Sequence, residues 1–239
     1  MTAMVIGVLA DLGTFWSDFR DTVSANYDEL FTRTIEHLSI VAQTALISSA
    51  IGIVLGILCA RYRERLAPLV IGTASVVLTL PSYALFGYFG VTLGYNDRAV
   101  ILALTLYAML PIIRNTYVGL TQVSPAVEES ARGMGMSGRQ ILFRVRLPIA
   151  LPVIMAGIRQ ATVLNVAIAT IGAAIASGGL GTPIFHAIGR SELTLLLAAT
   201  ILVAAVGIGA DLILGLVERI LRERYFARAR AALLLRLAR

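Results

Sequence analysis

The chain has 239 residues, of which 58% are hydrophobic and 14% charged, and its formal net charge is +6. A soluble domain carries about 25% charged residues, so this composition excludes a soluble protein and predicts an integral membrane protein. All twenty basic residues are arginine and they cluster at the ends of apolar blocks, which argues against nucleic-acid binding. The single cysteine, Cys59, excludes an intrachain disulfide, and His37 and His186 lack the spacing of a metal site.

Residues 1–35 combine a short apolar run with aromatic and acidic side chains. The run is not preceded by the basic region that begins a secretory signal. Phe15, Trp16 and Phe19 predict an amphipathic helix that lies at the membrane surface. The acidic residues between positions 11 and 29 place this segment on the extracytoplasmic side.

Five apolar blocks of membrane-spanning length follow. The spans are expected at about 38–60, 68–93, 99–120, 149–176 and 193–217. They form a transmembrane region over residues 36–217, interrupted by a polar loop at 121–148 and followed by a basic tail at 218–239. The fold class is therefore an all-α membrane protein with about five transmembrane helices.

The distribution of arginine predicts the orientation of the chain. Three arginines lie in 61–65, four in 121–148 and seven in 218–239, whereas the opposite segments together hold four. Because arginine is enriched in cytoplasmic loops, fourteen against four predicts an N-out, C-in topology with the 121–148 loop in the cytoplasm. The tail is also suited to contact anionic headgroups.

The 121–148 loop has the signals of a short helix at its start. Ser124 is expected to cap this helix, with Pro125 at its first position. Glu128 and Glu129 then complement the positive end of the helix dipole. Gly133 and a second glycine two residues later interrupt it.

A second short helix is expected to open at Ser137, which forms a capping box with Gln140, and to end at Pro148. Two capped helices bent at glycine make a compact polar knob that is too polar to span a bilayer. Such a knob on a membrane protein predicts a contact for a soluble partner.

Three charged residues, Arg114, Arg159 and Asp211, lie inside predicted spans at overlapping depths. We hypothesise that Asp211 pairs with Arg159 or with Arg114 and forms a brace or gate on the cytoplasmic side. The alternative is that both arginines extend to the interface and that Asp211 is only a helix-end residue.

Polar residues near Pro81 are candidates for lining a pathway. A broken helix there, with hydroxyls that satisfy the freed carbonyl, predicts a pathway lining, and an ordinary structural kink is the alternative. The candidates are Thr79, Pro81, Ser82, Tyr83, Tyr107, Asn115 and Asn165. The Gly178–Gly181 run lacks the lysine and preceding strand of a phosphate loop, so we expect a flexible turn that ends the fourth span.

The loop motif resembles the EAA loop of ABC-importer permeases. It reads Glu129-Ser130-Ala131, three residues, Gly135, nine residues, then Val145-Arg146-Leu147-Pro148, with conservative differences at Ser130 and Val145. In that family the loop carries a coupling helix that docks on the ATPase subunit. The resemblance implies ATPase contacts from Glu128, Glu129, Ala131, Arg132, Gly135, Met136 and Arg139.

Further runs resemble the permeases of glycine betaine, carnitine and choline importers over roughly residues 36–225. They are Thr79–Ser82, Leu110–Tyr117, Leu147–Arg159 and Gly178–Gly181. This resemblance implies the type I ABC importer permease (MetI-like) fold in the bacterial plasma membrane. It also implies import of quaternary-ammonium osmoprotectants such as glycine betaine, choline, carnitine and proline betaine.

The implied partners are a cytoplasmic ABC ATPase dimer, a second permease that is identical or paralogous, and an extracytoplasmic substrate-binding protein. ATP and magnesium would be bound by the ATPase, so no cofactor and no enzymatic activity are expected of this chain. One alternative is a permease for methionine or another amino acid. A small channel or structural membrane protein is the alternative from another class, and it would have no use for the polar knob.

Overall fold

The computed structural model describes the backbone of residues 2–175 and 177–237 and the side chains of residues 14–175 and 177–223. Over this part the chain forms ten α-helices, which confirms the predicted all-α fold class. They are α1 (Thr2–Ala25), α2 (Tyr27–Arg61), α3 (Leu66–Thr79), α4 (Ser82–Leu93), α5 (Asp97–Thr121), α6 (Pro125–Gly133), α7 (Gly138–Ile141), α8 (Leu147–Ala169), α9 (Gly181–Arg190) and α10 (Leu193–Leu237). A π turn, Leu142–Arg146, joins α7 to α8, and a 3₁₀ turn, Thr170–Ile175, follows α8.

Four helical stretches in the described residues are long and apolar enough to cross a membrane. They are Tyr27–Arg61, Asp97–Thr121, Gly138–Ile175 and Leu193–Glu223. Helices α3 and α4 together supply a fifth span if the pair is counted as one. The prediction of about five spans is thus confirmed. The predicted boundary at residue 35 lies inside a helix, because α2 already begins at Tyr27.

The second span is broken rather than kinked. Helices α3 and α4 are bent by 96° at the break, where Leu80 and Pro81 both have extended backbone. Proline has no N–H to continue the helical ladder. Two hydroxyls satisfy carbonyls close to the break: that of Tyr107 donates to Leu80 at 2.6 Å, and that of Thr79 donates to Val76 at 2.7 Å.

The prediction that Pro148 ends the second short helix is wrong. Helix α7 continues through the π turn into α8, so one helical stretch runs from Gly138 to Ile175. In a π turn the N–H bonds to the carbonyl five residues back, as Leu147 does to Leu142. Because of this wider turn, the helix continues past Pro148 although proline has no N–H to donate.

The chain divides into two compact units. The first comprises Met1–Thr44, Pro81–Leu104 and Asn165–Ile208. Its core is apolar around Phe86, Val100 and Leu104, and it also buries polar groups.

Two of those polar groups link helices of the first unit. His37 is fully buried, with its Nε2 3.1 Å from the Val166 carbonyl. Asn165 donates to the Leu104 carbonyl at 3.2 Å. Because unpaired polar groups are costly in an apolar core, these bonds fix how the helices of this unit pack.

The glycine turn after the fourth span is held in place, and the expectation of a flexible turn is wrong. Asp97 accepts hydrogen bonds from the Ser177 hydroxyl at 2.8 Å and the Gly178 N–H at 3.3 Å. Glu36 accepts the Gly179 N–H at 2.9 Å. Two carboxylates from other helices therefore bind the polar groups of this turn.

Helix α1 belongs to the first unit and packs inside it through one face. Phe19 and Val23 contact a cluster that contains Leu30 and Leu195, while Trp16 is 62% exposed. The hydroxyls of Thr22 and Thr194 are 2.9 Å apart. The segment is thus helical as predicted, and one of its faces is covered by protein.

The second unit comprises Ala45–Leu80, Thr105–Leu164 and Gly209–Arg239. Glycines on α2 allow a close approach of α5: a Cβ added at Gly52 would meet Ile112, and one at Gly56 would meet Thr116. Such spacing of small residues is a common way for membrane helices to pack.

We predict that Gly181→Ala destabilises the protein and that Gly72→Ala does not. A Cβ at position 181 would overlap the Thr170 backbone carbonyl, whereas a Cβ at position 72 meets nothing within 4 Å. Overpacking of this kind costs about 1–3 kcal/mol. The check is the apparent melting temperature in mild detergent, and equal melting of the two variants would contradict this account of the turn.

Candidate functional site

The 121–148 segment begins at α6 without the expected side-chain cap. Ser124 occupies the N-cap position and Pro125 the first helical position, but the Ser124 hydroxyl makes no capping hydrogen bond. The Val127 N–H instead bonds to the Ser124 carbonyl at 3.1 Å. Proline fixes the backbone of the first turn and has no N–H that needs a partner, which is enough to start the helix.

A tight turn joins α6 to α7. Gly135 has φ +79°, and its N–H bonds to the Arg132 carbonyl at 2.9 Å, while the Met136 N–H bonds to the Ala131 carbonyl at 3.1 Å. This is the Schellman arrangement, in which glycine supplies the left-handed residue. The predicted capping box is confirmed by mutual bonds between Ser137 and Gln140 at 2.7 and 3.4 Å.

The seven residues that the motif implied as ATPase contacts differ in exposure. Glu129, Arg132, Gly135 and Arg139 are exposed and Met136 is half-buried. Ala131 is 2% exposed and packs inside the segment. The chain therefore offers a charged surface around Gly135, while Ala131 supports it from within.

Glu128 is held by an arginine that sequence reasoning did not single out. Its Oε1 lies 3.1 Å from Nε of Arg146, whose Nη2 donates to the Leu120 carbonyl at 2.9 Å. One guanidinium thus links the end of α5, the first turns of α6 and the π turn. The arginine occupies the variable position of the Val145-x-Leu147-Pro148 motif, and a partner 26 residues away leaves no local signal in the sequence.

A second polar cluster lies between α8 and α10. Nε and Nη2 of Arg159 bind the two carboxylate oxygens of Asp211, each at 2.8 Å, and Nη1 lies 3.4 Å from Glu218. Of the two partners proposed for Asp211, the structure pairs it with Arg159, and Arg114 is exposed. The two-pronged geometry is the strong form of an arginine–carboxylate pair.

This cluster borders a cavity of about 460 Å³. Its walls include Arg219 and Arg222 besides the three ion-paired residues. Gly215 faces the guanidinium, since a Cβ there would lie 3.4 Å from Cζ of Arg159. The small residue leaves the space in which this arginine reaches α10.

The other candidates for a pathway lining fall into two groups. Thr79, Pro81 and Tyr83 are exposed and Ser82 is half-buried, all at the break between α3 and α4. Tyr107 and Asn165 are 2% and 1% exposed. These two are core residues that satisfy backbone carbonyls, so they do not line an open surface.

Asn115 belongs to neither group. It is half-buried, and its amide donates to the Pro111 carbonyl at 2.8 Å, one turn earlier in α5. A Cβ added at Gly157 would meet it. Asn115 therefore packs where α5 and α8 approach closely.

Comparisons with known proteins match these features to one family. Residues 52–223 match the model of the binding-protein-dependent transport system inner membrane component family. The chain belongs to this family. It is 39% identical over 215 residues to the glycine betaine/carnitine/choline transport system permease protein OpuCD of Bacillus subtilis, covering 90% of each chain. It is 36% identical over 204 residues to the osmoprotectant import permease protein OsmW of Salmonella typhimurium, covering 83% of this chain and 94% of that one.

Solved structures support the fold of this inner membrane component. Two structures of the inward-facing MetNI methionine ABC transporter match with TM-scores of 0.71 and 0.72. They cover 80% of this chain at 22% and 21% identity. The chain thus has the MetI-like permease fold. The family match includes the 121–148 segment and the Arg159–Asp211 pair, whereas α1 lies before it.

We predict that Arg159→Gln lowers the stability of the protein because Asp211 then lacks a cation. The two side chains are 33% and 38% exposed, so we expect a smaller loss than for a fully buried ion pair. Arg114→Gln is the matched control, and we expect it to leave the apparent melting temperature unchanged.

The charge-swapped variant Arg159→Asp with Asp211→Arg tests the pairing itself. It should recover part of the melting temperature that each single substitution loses. Additive losses in the double variant would show that the two residues are not coupled.

Proposed function

We propose that this chain is the membrane-spanning permease subunit of an ATP-driven importer for quaternary-ammonium osmoprotectants. The observation that carries the proposal is its 36–39% identity, over most of its length, to permeases named for glycine betaine, carnitine, choline and osmoprotectant transport. Glycine betaine, choline, carnitine and proline betaine are the proposed substrates. The likeness to the methionine transporter is under 25% identical and therefore supports the fold alone.

The proposed partners follow from the way such importers work. A cytoplasmic ATPase dimer would bind ATP and magnesium, a second permease would complete the pathway, and an extracytoplasmic binding protein would deliver the substrate. In this arrangement the permease carries out no chemistry. Its tasks are to conduct the substrate and to change conformation with the ATPase.

The 121–148 segment is suited to contact the ATPase because its charged residues project from a rigid turn. Glu129, Arg132 and Arg139 are exposed around Gly135. The Schellman turn and the capping box fix the angle between α6 and α7. When a soluble partner that is bound to it moves, a rigid, charged surface moves as a unit and does not deform. Coupling of the ATPase to the membrane helices requires this rigidity.

The continuous helix from Gly138 to Ile175 would carry that movement into the membrane. Along it, Arg159 is bound to Asp211 and Glu218 on α10. We propose that this ion-paired cluster is a brace, so that α8 and α10 move together when the ATPase closes.

Reconstitution tests the proposal directly. Proteoliposomes containing the permease with its ATPase would be supplied with the binding protein and labelled substrate. We expect uptake of glycine betaine, choline or carnitine that requires both ATP and the binding protein. Uptake of methionine in their place would favour the amino-acid alternative, and uptake without ATP would contradict an importer.

We predict that Gly135→Ala impairs uptake while Gly133→Ala does not. Gly135 has a left-handed backbone conformation, in which alanine is less favourable than glycine by about 1–2 kcal/mol. This cost lowers the equilibrium constant for forming the turn by on the order of tenfold. Gly133 ends α6 with φ outside that region, and a Cβ there meets nothing within 4 Å. Uptake rates at equal membrane content are the measurement, and equal rates would show that the turn does not matter for coupling.

A further inference from the structure

The turn between α2 and α3 concentrates positive charge where a membrane span ends. Residues 61–65 are Arg-Tyr-Arg-Glu-Arg, and all five are exposed. Arg61 is the last residue of α2, whose apolar stretch is long enough to cross the bilayer. According to the distribution of arginine, this end of α2 faces the cytoplasm.

In the described part of the chain, these three arginines form no ion pair with a carboxylate. Within the part of the chain that the structure describes, no Asp or Glu oxygen lies within 4.0 Å of the guanidinium nitrogens of Arg61, Arg63 or Arg65. By contrast, Arg146 and Arg159 each bind a carboxylate in their own unit. The turn therefore carries positive charge that the rest of the described chain leaves uncompensated.

The same five residues line a cavity of about 370 Å³. The guanidinium carbon of Arg61 lies 5.6 Å from the ring centroid of Tyr62, a cation–π contact that orients this arginine at the edge of the cavity. Arg61 also lies at the C-terminal end of α2, where a positive charge is favoured by the helix dipole. The dipole therefore explains the presence of one of the three arginines. Among the described residues, neither Arg63 nor Arg65 makes a cation–π contact.

We propose that this turn binds a phosphate group, with the headgroup of an anionic phospholipid as its source in the membrane. Guanidinium groups match phosphate oxygens with paired hydrogen bonds. A juxtamembrane cluster of arginine is attracted to an anionic lipid surface, with each residue contributing about fivefold in affinity. The three arginines line this cavity together with Tyr62 and Glu64, at the point where α2 ends.

The test uses the full-length protein, purified in mild detergent with the subunits that accompany it. Thermal unfolding would be followed with added dihexanoyl phosphatidylglycerol, dihexanoyl phosphatidylcholine or inorganic phosphate. We expect phosphatidylglycerol to raise the unfolding midpoint of the wild-type protein more than phosphatidylcholine does. For the variant Arg61→Gln, Arg63→Gln, Arg65→Gln, we expect an affinity lower by on the order of a hundredfold.

The matched control neutralises three arginines elsewhere, Arg20, Arg98 and Arg190, which lie outside the predicted cytoplasmic segments. This control should respond as the wild-type protein does. If the triple variant fails to fold, the single variant Arg63→Gln can be measured in its place. Its affinity for phosphatidylglycerol should be about fivefold lower than that of the wild-type protein. Four and seven arginines remain in the other two cytoplasmic segments, so the orientation of the chain should persist.

The outcomes separate the possible ligands. Stabilisation by inorganic phosphate that requires Arg61, Arg63 and Arg65 would support the site with a soluble anion as its source, whereas stabilisation by the lipid alone supports a headgroup. An equal response of the triple variant and the wild-type protein to phosphatidylglycerol would overturn the proposal. It would also be overturned if the triple variant lost its accompanying ATPase but kept its lipid response, because the turn would then be a protein contact.

Discussion

The links that Arg146 makes are the interaction on which the 121–148 segment depends. Its guanidinium contacts Glu128 on α6 and the Leu120 carbonyl at the end of α5, and its backbone belongs to the π turn that leads into α8. These contacts fix both ends of the segment to membrane helices. Without them, α6 would be held to the membrane helices mainly through the turn at Gly135, because α7 continues directly into α8. With them, a force applied to α6 or α7 has a defined route to α8.

The second constraint is the cost of charge inside an apolar environment. Arg159 and Asp211 offset each other through two hydrogen bonds of 2.8 Å, and Glu218 adds a further carboxylate about two helical turns along α10. Both clusters thus follow one principle, in which an arginine fixes neighbouring elements by binding carboxylates and carbonyls. The arginines at 61–65 are different, because they form no ion pair within 4.0 Å in the described chain and line a cavity.

Hydropathy was enough to predict the helical fold and its spans, because every backbone polar group in a bilayer must be satisfied within a helix. Local signals also predicted the Ser137 capping box and the turn at Gly135. The differences came from local backbone geometry in one case and from long-range contacts in the others. A π turn carried the helix past Pro148, the carboxylates of Glu36 and Asp97 held a turn expected to be flexible, and residues far apart in sequence buried Tyr107 and Asn165. The partners of Arg146 were invisible for the same reason.

The most direct test of the account is whether the 121–148 segment holds the ATPase. The tagged protein would be isolated from its own membranes in mild detergent beside Glu129→Lys, which reverses an exposed charge on α6, and Asp18→Lys, which reverses an exposed charge on α1. Mass spectrometry would then measure the ATPase that accompanies each. The account predicts ATPase with the wild-type protein and with Asp18→Lys, and its loss with Glu129→Lys. Equal ATPase in all three samples, or none with the wild-type protein under conditions that keep other ABC complexes intact, would contradict it.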